Sequence, residues 1–360
     1  MLLTQAGVVS ALLGRGLLDA DAIVDGDLVV ADSSRRNINF EVLRERGRSY
    51  FVKQGVGDDR RRTVTHEAAM YDVLAASPAL ELLAPRRLLW DAEDCTLVVE
   101  LVREAESVAA LHRRRRRVPV DVARALGRAL GTLHQTTSPY AERGRFRNYT
   151  PTLFEVHRPA LSAFTWMSSG TLEIVKMVQR SDGLVQSLEQ VRRDWRIEAL
   201  IHGDVRWDNC LWLGGAGARL TLVDWEMAGA GDPCWDVGTA LSEYVGAWVA
   251  ASPLVPEMAP EAIARLSSLP LTDVQRAIGA LWRAYADTME LGAAADEWCL
   301  RAVRYAGARL VEMACETARS SARATEHAVY LLQTGANILE HPLDAAVELF
   351  GLTVLPVDGP

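Results

Sequence analysis

Apolar and polar positions along this chain switch between two spacings, and the switches mark out its elements. Residues 4–17 read as a helix, and the stretches 27–31 and 37–44 as strands. A turn at Arg46-Gly47-Arg48 leads into Ser49-Tyr50-Phe51-Val52-Lys53, a run rich in aromatic and β-branched residues that predicts a third strand. An amphipathic helix is predicted over 63–74, followed by strands at 86–90 and 96–102. From residue 120 to 134 the apolar positions 122, 126, 130 and 133 form one helical face. Ala199-Leu200-Ile201 is a short apolar run, and 211–223 reads as a hairpin turning at Gly214-Gly215-Ala216-Gly217. Beyond Asp236 the pattern is helical throughout, with a stripe at Leu300, Val303, Leu310 and Met313.

At 360 residues the chain exceeds one ordinary domain, and two lobes are expected. Its hydrophobic content of 49% and lack of a long polar tract predict a folded protein. No apolar run reaches the length of about 18 residues that a membrane span needs. Five scattered cysteines without a Cys-x-x-Cys pair, and a start lacking the basic residues of a secretory signal, predict reduced thiols and a cytoplasmic location.

The net charge of −8 conceals an asymmetry. Residues 251–360 carry 14 acidic and 8 basic side chains, whereas 112–147 carry 10 arginines against 2 carboxylates, with Arg113 to Arg117 in a row. No aromatic residues interleave with that run and no nucleic-acid motif accompanies it, so a solvated linker face is expected rather than a nucleic-acid site.

The chemistry concentrates in His202-Gly203-Asp204-Val205-Arg206-Trp207-Asp208-Asn209 and in Asp224-Trp225-Glu226. A loop Asp, an Asn five residues later and a second Asp at the end of a strand suit phosphoryl transfer. One carboxylate takes the proton of an attacking hydroxyl, while an amide oxygen and another carboxylate hold a hard cation against nucleotide phosphates. Lysine usage adds a second line, for only Lys53 and Lys176 stand among 39 basic residues. Lys is a compact point charge where Arg is a wide fork. Lys53 sits on a predicted strand, with Glu67 fourteen residues on in a predicted helix. Lys176 reads as an ordinary solvated lysine.

These motifs resemble the catalytic core of the aminoglycoside phosphotransferase and choline kinase family, relatives of the protein kinases. The resemblance implies an α+β, two-lobed protein-kinase-like fold, with a small antiparallel-sheet N-lobe over 1–102 and a larger, mainly helical C-lobe over 103–360. It implies ATP as phosphoryl donor, with GTP left open, and Mg²⁺ as the metal. By motif position Asp204 is the base, Asn209 and Asp224 are metal ligands, and Glu226 assists at the metal. Lys53, held by Glu67, contacts the α- and β-phosphates. The hinge for the nucleobase falls at Glu100, Leu101 and Val102. The Gly231-Asp232-Pro233-Cys234-Trp235-Asp236 segment resembles the family's Gly-Asp-Pro-x-x-Asp, whose carboxylates secure the catalytic loop.

Two departures from the kinase pattern matter. No glycine occurs between Gly26 and Gly47, so the turn at 32–37, with Ser34 as its candidate, replaces a glycine-rich phosphate loop. Arg206 stands two residues after the base, where protein kinases carry a Lys that contacts the transferring phosphate. It is expected to stabilise charge on that group.

The acceptor is left between two classes. One is a small-molecule hydroxyl of aminoglycoside, aminosugar or amino-alcohol type, which an acidic surface drawn from Glu243, Asp287, Glu290, Asp296, Glu297, Glu312 and Glu316 would suit. The other is Ser/Thr of a precursor peptide in lanthipeptide-like biosynthesis, toward which the arginine run leans. A non-catalytic scaffold fits poorly with an intact set of Lys53, Glu67, Asp204, Asn209 and Asp224. Oligomeric state is not encoded in any motif.

Overall fold

The computed structural model describes residues 2–34, 36–141, 146–215, 217–253 and 266–354. Arg35 of the expected phosphate turn and Ala216 of the hairpin turn lie outside them. The chain forms two compact units, Met1–Glu106 with Leu211–Ala228, and Ser107–Cys210 with Gly229–Pro360.

The first unit is built on a five-stranded antiparallel sheet in the order β1-β2-β3-β5-β4. Its strands are β1 (Val29–Asp32), β2 (Ile38–Leu43), β3 (Tyr50–Gln54), β4 (Arg87–Asp91) and β5 (Thr96–Glu100). Alternation in β2 buries Phe40 and Val42. These pack with Val52 and Val98 of the sheet and Val8 and Leu12 of helix α1 (Gln5–Gly14), which Thr4 caps through its hydroxyl. A one-turn helix α2 (Asp21–Val24) precedes β1.

Helix α3 (Asp58–Ala75) starts with Asp58 and Asp59, favourable at a helix N-terminus. Its buried stripe runs Val64, Glu67, Ala68, Tyr71, Leu74, so a carboxylate occupies a core position. A two-residue strand β6 (Glu106–Ser107) closes this part of the chain. The hairpin strands β8 (Cys210–Leu213) and β9 (Arg219–Leu222) neighbour each other as expected.

The second unit is mainly helical: α4 (Val108–Arg115), α5 (Val120–Ala141), α6 (Ser169–Arg180), α7 (Asp182–Arg193), α8 (Pro233–Ala251), α9 (Leu271–Thr288), α10 (Ala295–Thr317), α11 (Glu326–Glu340) and α12 (Pro342–Glu348). The largest packings join α5 to α9 and α10 to both α8 and α11. Close approach of α5 and α9 needs small residues. A Cβ on Gly127 would lie 2.1 Å from the Leu281 carbonyl oxygen, and one on Gly131 would lie 2.7 Å from Thr288 Cβ.

The arginine run differs from its expected place in a linker. Arg113 to Arg115 form the last turn of α4, where positive charge complements the helix dipole, and Arg116 ends it in the left-handed region. All five arginines are exposed. An antiparallel pair, β7 (Ala199–Ile201) with β10 (Gly229–Gly231), delivers the chain into the 202–209 loop and into α8. Among the described residues no helix is long and apolar enough to cross a membrane.

Candidate active site

In the first unit Lys53 is 6% exposed and its ammonium donates to three carboxylates. Glu67 Oε2 lies at 2.7 Å, Asp224 Oδ1 at 2.6 Å and Glu226 Oε2 at 3.2 Å. Strand β3 supplies the lysine, α3 supplies Glu67, and the residues following β9 supply the other two. Burial works against the Lys53 charge, but the three carboxylates outweigh it and raise its pKa. Burial pushes Glu67 up to about 7, with Asp224 and Glu226 adding to the effect against the pull of Lys53. Asp224 has φ 66° and ψ 60°, left-handed backbone that a non-glycine residue adopts at a cost of about 1–3 kcal/mol. It precedes a single 3₁₀ turn without capping it through its side chain.

Glu226 also accepts from Asn37 Nδ2 at 3.4 Å and pairs with Arg36 at 3.6 Å. The turn after β1 therefore reaches the lysine cluster through Asn37 and Arg36. Ser34, the residue singled out from sequence, is engaged elsewhere: its hydroxyl accepts from Asn39 N–H, and its own N–H donates to Asp32. Asn37 is 5% exposed and its Oδ1 is buried without a partner, as are Ser33 Oγ and Asn39 Oδ1. Glu100 and Val102 line a cavity of about 360 Å³ with Arg48, Arg86 and Arg103. The N–H groups of Glu100 and Leu101 are spent on Arg86 and Ser49 carbonyls, whereas Val102 N–H makes no hydrogen bond to the described residues.

In the second unit Asp204, Arg206 and Asn209 come together. Asn209 Nδ2 donates to both the carbonyl oxygen and Oδ2 of Asp204, each at 2.9 Å. Arg206 Nε lies 3.5 Å from Asp204 Oδ1, and its Nη1 lies 3.7 Å from Glu316. The loop is fixed from beneath by fully buried Asp236, which accepts from His202 N–H at 2.7 Å and Gly203 N–H at 2.9 Å. His134 Nε2 approaches the same carboxylate at 3.2 Å. Gly203 has φ 81°, and its carbonyl oxygen accepts from Tyr149 and Trp235. Asp232 caps α8 through Cys234 N–H and accepts from Tyr305. Asp236 thus ties the loop to α8, as the motif implied, whereas Asp232 joins the start of α8 to Tyr305 of α10.

The acidic candidates sort themselves by packing. Glu243 accepts from Trp207 N–H within the loop, and Glu312 and Glu316 bracket Arg309, which is 3% exposed. Burial raises the pKa of Glu243 and Glu312, and Asp204 adds to the rise in each. Burial opposes the Arg309 charge, but Glu312 and Glu316 more than offset it. Asp287 instead faces a hollow with Arg124 and Arg283, and Glu297 pairs with Arg196. Sequence reasoning passed over Arg309, because one arginine in so arginine-rich a chain carries no visible signal.

The donor set fits a divalent cation. One ammonium among three carboxylates leaves the Lys53 cluster net negative, with oxygens of Glu67, Asp224 and Glu226 within 4.8 Å of one another. In the second unit the Asn209 amide oxygen makes no hydrogen bond to the described residues, leaving a neutral oxygen donor beside Asp204.

Residues 27–266 match the model of the phosphotransferase enzyme family, a span that includes Ser34, Lys53, Glu67, Glu100, Val102, Asp204, Arg206, Asn209 and Asp224. Among curated proteins none matches. Among solved structures, an ethanolamine kinase of Plasmodium vivax superposes with a TM-score of 0.52 at 13% identity, covering 95% of this chain and 89% of that one. The GDP complex of aminoglycoside 2'-phosphotransferase-IIIa gives 0.52 at 13% identity, covering 93% of this chain and 99% of that one. The fold is protein-kinase-like, as expected.

Proposed function

Because this chain belongs to the phosphotransferase enzyme family, we propose that it moves the γ-phosphoryl group of ATP to a hydroxyl of a cationic small molecule of the aminoglycoside, aminosugar or amino-alcohol class. The observation that carries this reading is the setting of Asp204. Its carboxylate is fixed by Asn209 and stands in a neighbourhood where Glu243, Glu312 and Glu316 outnumber Arg206 and Arg309. An ammonium-bearing acceptor is drawn to such a surface, while an anionic one is repelled.

Asp204 acts as the base. Asn209 holds Oδ2, so Oδ1 orients the acceptor hydroxyl and receives its proton as the oxygen attacks phosphorus in line. Arg206 sits beside that oxygen and meets the charge spread over the transferring group. Lys53 grips the nucleotide phosphates, kept charged by Glu67 when phosphate oxygens compete for its ammonium. Val102 offers its unspent N–H to the nucleobase. Asp224 and Asn209, with Glu226 in support, are the donors for Mg²⁺, which when bound neutralises the phosphate oxygens.

The test is transfer from γ-labelled ATP and GTP with Mg²⁺ to aminoglycosides, ethanolamine, choline and Ser/Thr peptides, read by mass with Asp204→Ala as blank. A labelled cationic small molecule supports the reading. Label on peptide alone, or transfer undiminished in Asp204→Ala, refutes it.

A further inference from the structure

We propose that an arginine-lined groove along α5 and α9 of the second unit binds an acidic peptide segment. The two helices run side by side in the same direction, Gly127 lying against Leu281 and Gly131 against Thr288. Two hollows follow one another along the seam. The first, about 380 Å³, is walled by Arg115, Arg117, Asp121, Asp273 and Arg276. The second, about 260 Å³, is walled by Arg124, Arg128, Arg283 and Asp287.

Most of these arginines have no partner among the described residues. Arg115, Arg117, Arg124, Arg128 and Arg283 make no ion pair or side-chain hydrogen bond with the described residues, and Arg276 pairs only with Asp273 of its own helix. In the same unit Arg158, Arg192, Arg196, Arg301, Arg304 and Arg309 are paired, while Arg180, Arg319 and Arg323 also lack an ion pair among the described residues, so it is the gathering along one seam that sets the groove apart. A chain of net charge −8 that gathers unpaired guanidinium groups along one seam has built a carboxylate-binding face, since the planar fork matches a carboxylate in two places.

The occupant is a peptide rather than a nucleic acid. Asp121, Asp273 and Asp287 stand on the same walls and would repel an evenly charged phosphate backbone, whereas a peptide can set neutral or basic residues against them. No aromatic side chain lines either hollow for a base to stack on. From Asp121 to Arg128 the helix rises about 10 Å. With a hollow at either end, a segment of roughly six extended residues covers the groove. The inference stands apart from the phosphotransfer reading, because binding here needs neither nucleotide nor acceptor.

The probe is a fluorescein-labelled hexapeptide of Asp and Glu interrupted by Ser, titrated with full-length protein and followed by anisotropy at low and physiological salt. Binding that weakens with salt, and that falls about tenfold or more in Arg124→Ser/Arg128→Ser/Arg283→Ser, is expected. These side chains are exposed and unbonded, so a thermal melt of the variant should match wild type. An equal fall in Arg192→Ser/Arg193→Ser would mean unspecific charge and overturn the proposal. So would affinity unchanged in the triple variant, or tighter binding of a single-stranded oligonucleotide of the same charge.

Discussion

Replacing Asp236 by Asn isolates the hydrogen bonding that shapes the loop carrying Asp204. The wild-type carboxylate is fully buried and serves three groups: His202 N–H on Oδ2, Gly203 N–H on Oδ1 and the His134 ring on Oδ2. In Asp236→Asn the amide oxygen still accepts from Gly203. The amide nitrogen then faces His202 N–H, donor against donor, while His134 adapts by presenting the other tautomer. One buried N–H is orphaned, costing about 1–3 kcal/mol.

Asp236→Ala orphans both N–H groups and leaves a small void, for about 3–6 kcal/mol. In domains of about 150–250 residues each kcal/mol lowers Tm by roughly 2–4 °C, so the Asn variant should melt a few degrees low and the Ala variant much further. Differential scanning calorimetry of the three proteins checks the ladder, and turnover should fall with each step as Asp204 loses its place. An Asn variant as stable and as active as wild type would show that Asp236 does not hold the loop.

Other perturbations probe the two units separately. Arg206→Ala should lower turnover far more than nucleotide affinity, by steady-state kinetics beside nucleotide titration; an unchanged kcat would remove its assigned role. Glu67, held near 7 against an ordinary 4.5, keeps its proton longer folded than unfolded. Stability should therefore fall as pH rises from about 4.5 to 7, by at most about 3 kcal/mol, and level off above. Denaturant melts across that window should show this fall in wild type and a flatter profile in Glu67→Gln. Lys53→Met should leave three buried or half-buried carboxylates without their cation, reducing both stability and nucleotide affinity, measured by melting with and without nucleotide.

Much of the first unit was legible because local pattern and final fold agree. The alternation of β2 and β3 and the helical spacing of 63–74 survive intact, and a carboxylate on the apolar stripe of α3 announces a buried partner. The 202–209 loop was legible because its polar residues are close in sequence and bond to one another. The glycine-free turn was not. Which of its side chains faces the lysine depends on where the turn docks, and that favours Asn37 over Ser34. The acidic candidates were likewise indistinguishable by composition, since only the packing of their separate helices sets Glu312 near Asp204 and Asp287 beside Arg124 and Arg283. Helix α7 gave no distinct sequence signal, although Ser181 caps it conventionally.

The segment Leu211–Ala228 belongs to the first unit although 104 residues of the second precede it in the chain. Synthesis must therefore pass residue 228 before that unit holds all of its parts. Until then the Lys53 ammonium has Glu67 as a carboxylate partner but lacks Asp224 and Glu226. A nascent chain stalled short of this point would expose the sheet without its full charge cluster. No single cut can release either unit whole, so proteolytic nicking within 211–228 should damage both nucleotide grip and refolding, leaving fragments that complement one another only when mixed.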